Sequence, residues 1–508
     1  MTVADFRSAS PRAGRGDSFV RRRLESPLAL ASAVFVASLA WTLVVRFPLL
    51  RAYGADDAGF VGMAHLWLRG VLPYAGVFDV KPPGLLALLA VAEMVLGPTL
   101  EALRAVSVVS DATTATALFL LARRFGDSRI GVFAAVLYPV LSLIAIGYDA
   151  YCPLAALTTL AFLAALSPLS LILRAALAGL AIGAAGTVKQ TAGFEAVALL
   201  AILVSAPDGV RRRGWAALSY GLGVGVAPLG FLLYFAWHGA AAALFADTVV
   251  TALQRPASAS EGISFAGGFV HFLPLQQGLL PLTGLSLLAA LRRRALKDAA
   301  PELPWGALLA WLAAAAVAVL AQRSLFAPYL APMLAPALLL AGFFMAKALP
   351  ELARIPASAR LALLALLSIA AALTAPSVDF VKRQDLPALT AAAEAIRASA
   401  PSPGDKLYVV NRSVWLNSMV DLAPPTKYLF PFQTLCAFPG VGGGAVAEIL
   451  AARPRYVAIA DRSMKYYCER PESWRLIDAA LVASYRRLAH AEGAFDSYDV
   501  YEAVAESH

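Results

Sequence analysis

Apolar runs recur along the first three-quarters of the chain and then stop. From Leu28 to Pro376 they come as stretches of about 17 to 25 residues, long enough to cross a bilayer as helices. The pattern predicts eleven spans, at 28–47, 102–122, 129–147, 152–168, 171–188, 192–206, 216–237, 272–291, 304–321, 326–346 and 361–377. One further apolar stretch, Gly84 to Gly97, is only about 14 residues long, which places it at the interface or as a re-entrant segment. Beyond residue 377 charges, aromatics and short β-rich runs mix. An amphipathic helix is expected over Leu386–Ala400, strands over Lys406–Asn411 and Arg455–Ala460, and a helix over Ala445–Ala452. That alternation predicts a small α/β layer domain.

Charge then orients the spans. The chain carries 15% charged residues, against about 25% in an ordinary soluble domain. Its net charge of +9 is concentrated in short loops, at Arg21–Arg23, Arg123–Arg124, Arg211–Arg213, Arg292–Arg294 and between Lys347 and Arg360. The positive-inside rule makes these loops cytoplasmic and accounts for the basic clusters without nucleic-acid binding. An odd number of spans then puts the C-terminal domain outside. The expected fold is a polytopic α-helical membrane protein with an extracytoplasmic α/β domain. Residues 1–27 form a cytoplasmic tail, 28–377 the membrane domain with a first outer loop at 48–101, and 378–508 the outer domain. No small-residue cleavage site ends the first apolar run, so it reads as an uncleaved span.

Of three cysteines, Cys152 falls at the membrane edge, while Cys436 and Cys468 share the outer domain. There a disulfide between them can persist, with two buried thiols as the alternative. No P-loop, CxxC or HExxH spacing is present. Gly221-Leu222-Gly223-Val224-Gly225 lies inside a span, where close packing explains it, and the glycines at 440–444 read as a loop.

This topology collects the polar chemistry on the outer face. The first loop contributes Asp56, Asp57, Tyr74, Asp79 and Lys81; later turns contribute Asp149, Lys189, Arg323 and Tyr329. Ionisable groups held at a membrane surface are costly and tend to be functional. Carboxylates with cations at that depth suit a lipid-linked substrate whose phosphate lies at the interface. Lys189 and Arg323 would pair with the phosphate, and a first-loop carboxylate would take a proton from an acceptor hydroxyl. Structural roles compete with each assignment: Lys189 and Arg323 as snorkelling cations, Asp149 as a span end, Asp79–Lys81 as a local ion pair, and Asp56-Asp57 as an N-cap. His65 reads as a helix-face residue.

The spacing in the first loop resembles a known family. Asp56-Asp57, Phe60, Ala64, Gly70, Pro73-Tyr74 and Asp79-Val80-Lys81-Pro82-Pro83 are similar to the first outer loop of GT-C superfamily membrane glycosyltransferases, of the protein-mannosyltransferase and aminoarabinose-transferase type (glycosyltransferase family 39/83). Gly186 to Gln190 resembles that family's lysine turn. Gln322-Arg323 with Tyr329-Leu330-Ala331-Pro332 resembles its basic residue and the entry to a late span. The resemblance implies sugar transfer from a polyprenyl-phosphate donor to a lipid, glycan or protein acceptor, with inversion, at a bacterial inner membrane. It implies Asp56 as catalytic carboxylate, with Asp57 and Asp149 supporting. Lys81, Lys189 and Arg323 would hold the phosphate, and Asp79, Tyr74 and Tyr329 would complete the substrate site. No metal ligand set is assigned and no cofactor is required, although three outer acids are compatible with a divalent metal. Asp57 stands where the family has Glu, and Pro328 where many members have His or Arg. A transporter or flippase of lipid-linked sugars, or a non-catalytic scaffold, is the alternative class.

Overall fold

The computed structural model describes residues 27–47, 55–97, 99–145, 150–254, 278–292, 303–322, 327–347, 354–373, 386–462, 469–493 and 497–504. Eleven helices stand where the apolar runs predict spans. They are α1 Pro27–Arg46, α4 Leu100–Arg124, α5 Ser128–Ala145, α6 Tyr151–Ala165, α7 Leu171–Val188, α8 Ala192–Val204, α9 Val210–Trp237, α11 Leu280–Leu291, α12 Trp305–Ala321, α13 Ala331–Lys347 and α14 Ala357–Leu373. Between them lie α2 Ala55–Leu68, α3 Gly84–Leu96 and α10 Ala241–Gln254. Five of the helices are long and apolar enough by themselves to cross a membrane; the others are shorter apolar helices. The protein is a multi-pass membrane protein.

A bilayer gives no hydrophobic drive between helices, so close packing of small residues does that work. The pairing of α7 with α9 shows it. A Cβ at Gly179 would lie 2.3 Å from the Tyr220 carbonyl oxygen, and one at Gly183 2.3 Å from that of Val224. Gly223 meets the Ala176 carbonyl at 2.7 Å, whereas Gly221 and Gly225 face open space. The glycine-rich run at 221–225 is therefore a packing device, as its place in a span implies. The outward face of α9 keeps Leu222, Val226, Leu229 and Leu233 exposed, as a lipid-facing stripe would be.

The C-terminal region starts with α15 Leu386–Ala398 and continues through β1 Leu407–Val409, α16 Trp415–Val420, α17 Pro431–Leu435, α18 Ala445–Ala451, β2 Tyr456–Ala460, α19 Pro471–Ser484, β3 Tyr485–Glu492 and β4 Ser497–Ala503. The sheet order is β1-β2-β4-β3. β1 and β2 are parallel, with Leu407 opposite Tyr456, and β4 is antiparallel to both β2 and β3. The all-buried Tyr456–Ala460 is central, and the sheet packs on α15 through Ala388, Leu389 and Ala392. Both expected helices and both expected strands are present. The hairpin β3–β4 is an addition: its alternation of charged and apolar positions belongs to an edge, and it turns the sheet from parallel to mixed. Cys436 is disulfide-bonded and Cys152 is a buried thiol outside any disulfide; Cys468 lies outside the described residues.

This region sits directly on the first loop. Phe430 packs on Phe60 with ring centroids 5.6 Å apart, and Gly59 leaves the space for it, since a Cβ there would be 2.2 Å from the Phe430 ring. The Phe78 N–H donates to the Lys427 carbonyl at 2.8 Å, and the Phe78 ring meets Tyr428 and Phe438. Gly440 closes against Phe78 and Thr251, so that glycine run is a contact surface. Trp415, Tyr428 and Phe430 are buried and serve packing. Tyr466 and Tyr467 lie outside the described residues.

His65 adds a polar clasp to that contact. Its Nδ1 is 2.5 Å from Glu93 Oε1 on α3, and its Nε2 is 3.4 Å from Asp421 Oδ1, which also receives Arg69. Both ring nitrogens face carboxylates, which only accept, so the imidazolium satisfies both. The hydrogen bond to Glu93 raises the His65 pKa, burial opposes it, and Asp421 adds to the rise. At Asp421 burial acts upward, but the hydrogen bonds from Arg69 and His65 outweigh it and hold the carboxyl below its usual range. A raised imidazole contributes stability that is complete below its unfolded pKa and fades as pH climbs through the folded value. Thermal stability should therefore fall as pH rises above about 6.5, and fall more in the wild type than in His65→Gln. Parallel curves for the two proteins would remove the charged clasp.

Candidate active site

The first loop is built to turn back on itself. α2 begins at Ala55, so Asp56 and Asp57 lie within its first turn rather than ahead of it. Acids there complement the positive end of the helix dipole. Past α2, Tyr74 adopts φ 69°, a left-handed conformation unusual for a side chain larger than glycine. The reward is a tight turn: the Tyr74 N–H donates to the Val77 carbonyl at 2.7 Å, and its hydroxyl donates to the Lys81 carbonyl at 2.8 Å. Burial first, then the Asp79 and Asp247 carboxylates, push the Tyr74 phenol upward, so it stays a neutral donor. Asp79 is buried and accepts the Val80 N–H at 2.7 Å. The Lys81 Nζ lies 3.9 Å over the Phe60 ring.

Lys189 ends α7 and stands in extended conformation between α7 and α8. It is only 7% exposed, so it does not snorkel. Its Nζ is 4.0 Å over the Tyr151 ring and 4.4 Å over the Tyr329 ring. Two ring faces stabilise an ammonium that has left water, by up to about 2 kcal/mol for each desolvated contact. Tyr151 is held in turn, its hydroxyl donating to Gln322 Oε1 at 3.0 Å. Arg323 follows Gln322 directly; it and Asp149 lie outside the described residues.

Gln190 ties the parts together. Its Nε2 donates at 2.8 Å both to the Val80 carbonyl of the first loop and to the Thr248 carbonyl of α10. Gly84 allows the same approach from below: a Cβ there would be 2.6 Å from the Thr187 carbonyl oxygen. Of the sequence-predicted residues, Lys189 thus meets Tyr329, Tyr74 meets the Lys81 carbonyl, and Gln190 joins the Lys189 turn to the Val80 carbonyl between Asp79 and Lys81. Side-chain positions of Asp56 and Asp57 are outside the description.

Three further buried acids fall outside the set predicted from sequence. Asp247 lies in a π-helical stretch, Ala246–Thr251, of a segment read from sequence as loop; such turns often mark functional positions. Burial pushes its carboxyl up to about 6, with Lys427 acting against and Asp79 with that rise. Its Oδ2 has no hydrogen-bond partner among the described residues. Asp111 on α4 is wholly buried and pairs with Arg46 at 2.5 Å. Glu195 on α8 accepts the Trp311 indole N–H at 2.9 Å. An acid inside an apolar run is a functional candidate by default, a signal that would have found Asp111. Among the described residues no three His, Cys, Asp or Glu side chains group as a metal site.

The architecture, a helical membrane bundle capped by a small sheet domain over its first loop, is that of the GT-C glycosyltransferase fold. The family of dolichyl-phosphate-mannose-protein mannosyltransferases matches residues 80–237. ArnT from Cupriavidus metallidurans, bound to undecaprenyl phosphate, aligns with a TM-score of 0.62 at 16% identity, over 92% of this chain and 97% of that one. Its apo form aligns with a TM-score of 0.58 at 16% identity, over 93% and 98%. The archaeal oligosaccharyltransferase AglB from Archaeoglobus fulgidus, in complex with an inhibitory peptide and a dolichol-phosphate, aligns with a TM-score of 0.50 at 14% identity, over 85% and 69%. No curated protein sequence matches significantly. The resemblance read from the first loop is borne out: family match and fold are both those of GT-C membrane glycosyltransferases.

Proposed function

We propose that this chain transfers a sugar from a polyprenyl-phosphate donor to a hydroxyl or amine of a lipid, glycan or protein acceptor, on the outer face of a bacterial inner membrane. The observation that carries the reading is Lys189, a buried ammonium walled by Tyr151 and Tyr329 and linked through Gln190 to the Asp79–Lys81 loop. A cation withdrawn from water suits a lipid phosphate far better than a solvated one would. The N-terminus is cytoplasmic in this reading and the sheet domain extracytoplasmic.

In the reaction Asp56 takes the proton of the acceptor as its heteroatom attacks the anomeric carbon. The bond from that carbon to the phosphate oxygen breaks, and the electron pair leaves with the polyprenyl phosphate. Lys189, Lys81 and Arg323 neutralise the charge that grows on it. A single displacement inverts the anomeric centre. Asp57 and Asp149 support the base, while Tyr74, Asp79 and Tyr329 shape the pocket.

The test is a panel of polyprenyl-phosphate sugars presented to the purified protein in proteoliposomes with lipid, glycan and peptide acceptors. Release of polyprenyl phosphate with glycosylation of one acceptor class is the expected result. A folded protein that releases it from no donor, or that only moves donor across the bilayer, would overturn the reading in favour of a scaffold or a flippase.

A further inference from the structure

Arg46 is the last residue of α1, and Asp111 lies in α4; both side chains are fully buried. Arg46 places Nη2 2.5 Å and Nε 3.1 Å from Asp111 Oδ2. Ser142 of α5 donates to Asp111 Oδ1 at 2.9 Å. The Arg46 Nη2 also reaches Ser142 Oγ at 3.3 Å and Cys152 Sγ at 3.6 Å. Four helices, α1, α4, α5 and the first turn of α6, thus meet at one guanidinium.

Strength alone does not account for such a pair. Well-packed apolar residues of similar volume commonly hold helices as well as a buried ion pair does, or better. What the pair adds is direction: a planar guanidinium with fixed donors accepts its partners in few geometries. The residue next to Cys152 shows what is being directed. Tyr151 precedes it in the same turn, its ring 4.0 Å from Lys189 Nζ and 5.7 Å from the Tyr329 ring. The α6 N-terminus is therefore gripped by Arg46 and also walls the lysine.

We propose that Arg46 and Asp111 are positioning residues for the phosphate subsite, setting the first turn of α6 so that Tyr151 faces Lys189. This rests on the function proposed above. Neither residue touches substrate; they act through Cys152 and Tyr151. A polar fixture at this point defines the entry to α6 more sharply than lipid-facing packing does, because interfaces between apolar helices tolerate small slides.

The paired variant Arg46→Met/Asp111→Leu tests this, since it removes the direction without leaving a lone buried charge. Its thermal stability should stay near that of the wild type. Its dissociation constant for undecaprenyl phosphate should rise about ten-fold, with donor KM rising in step and kcat at saturating donor nearly unchanged. Lys189, mapped by mass spectrometry, should react faster with a small amine-directed acylating reagent as Tyr151 moves off it. Wild-type affinity and labelling in a folded paired variant would overturn the proposal, as would a fall in kcat with unchanged KM. Should the paired variant not fold, Ser142→Ala/Cys152→Ala removes two arms of the network. It should weaken undecaprenyl phosphate binding about three-fold and speed the labelling, and no change in either would equally overturn it. If the wild type itself binds no undecaprenyl phosphate, the proposed function fails; the labelling rate of Lys189 then decides the positioning role on its own.

Discussion

Asp56→Asn is expected to abolish sugar transfer while leaving the donor bound. Asparagine keeps the size of the side chain and can still stand in the first turn of α2, but it cannot accept a proton from the attacking hydroxyl. A positioned general base contributes about 10²- to 10⁴-fold, so kcat should fall by that factor. Undecaprenyl phosphate affinity should change little, since the proposed function has the phosphate held by Lys189 and its neighbours rather than by the base. Measuring both on one preparation separates the roles. A variant that transfers at the wild-type rate would place the chemistry elsewhere. Asp57→Asn should lower kcat less than Asp56→Asn does, because Asp57 supports the base without itself taking the proton, and should cost about 0.3–1 kcal/mol of stability as a helix-end acid is lost.

Lys189→Gln is expected to fail at the earlier step. A charge-assisted hydrogen bond contributes about 1.5–3 kcal/mol, which corresponds to roughly 10- to 150-fold in donor affinity. The transition state carries more charge on the leaving phosphate than the ground state does, so kcat should fall as well as KM rise. Lys189→Arg should restore little. The space between the Tyr151 and Tyr329 rings is matched to a compact ammonium 4.0 and 4.4 Å from their centroids, and a guanidinium is planar and wider. Donor binding and transfer at wild-type levels in Lys189→Gln would remove this lysine from the phosphate site. Tyr151→Leu gives a graded control, for it deprives the ammonium of one ring face and of the link to Gln322 while keeping the charge.

Asp247 and His65 show where sequence reading stopped. His65 reads alone as a helix-face residue; only folding brings Glu93 and, from far along the chain, Asp421 to its two nitrogens. Asp247 sits in a stretch that alternates too weakly to announce a helix, and its π turn depends on packing beneath Gln190 and against the C-terminal domain. Arg46 and Asp111 were legible as charges inside apolar runs. Their partnership was not, because nothing local to either residue names the other.

By itself the sequence determined that this is a polytopic membrane protein, where its apolar helices lie, and that a sheet-containing region follows them. Those properties depend on one-dimensional signals: run length against bilayer thickness and alternation of polar and apolar positions. The first-loop motif and the lysine turn were readable through their resemblance to a known family. Tertiary structure alone decided that the C-terminal domain closes over the first loop through Phe430 and Gly440. It also decided that Lys189 is buried between two tyrosines from distant helices rather than stretched toward water. Such contacts join residues remote in the chain, and their energy depends on which surfaces meet, which no local pattern records.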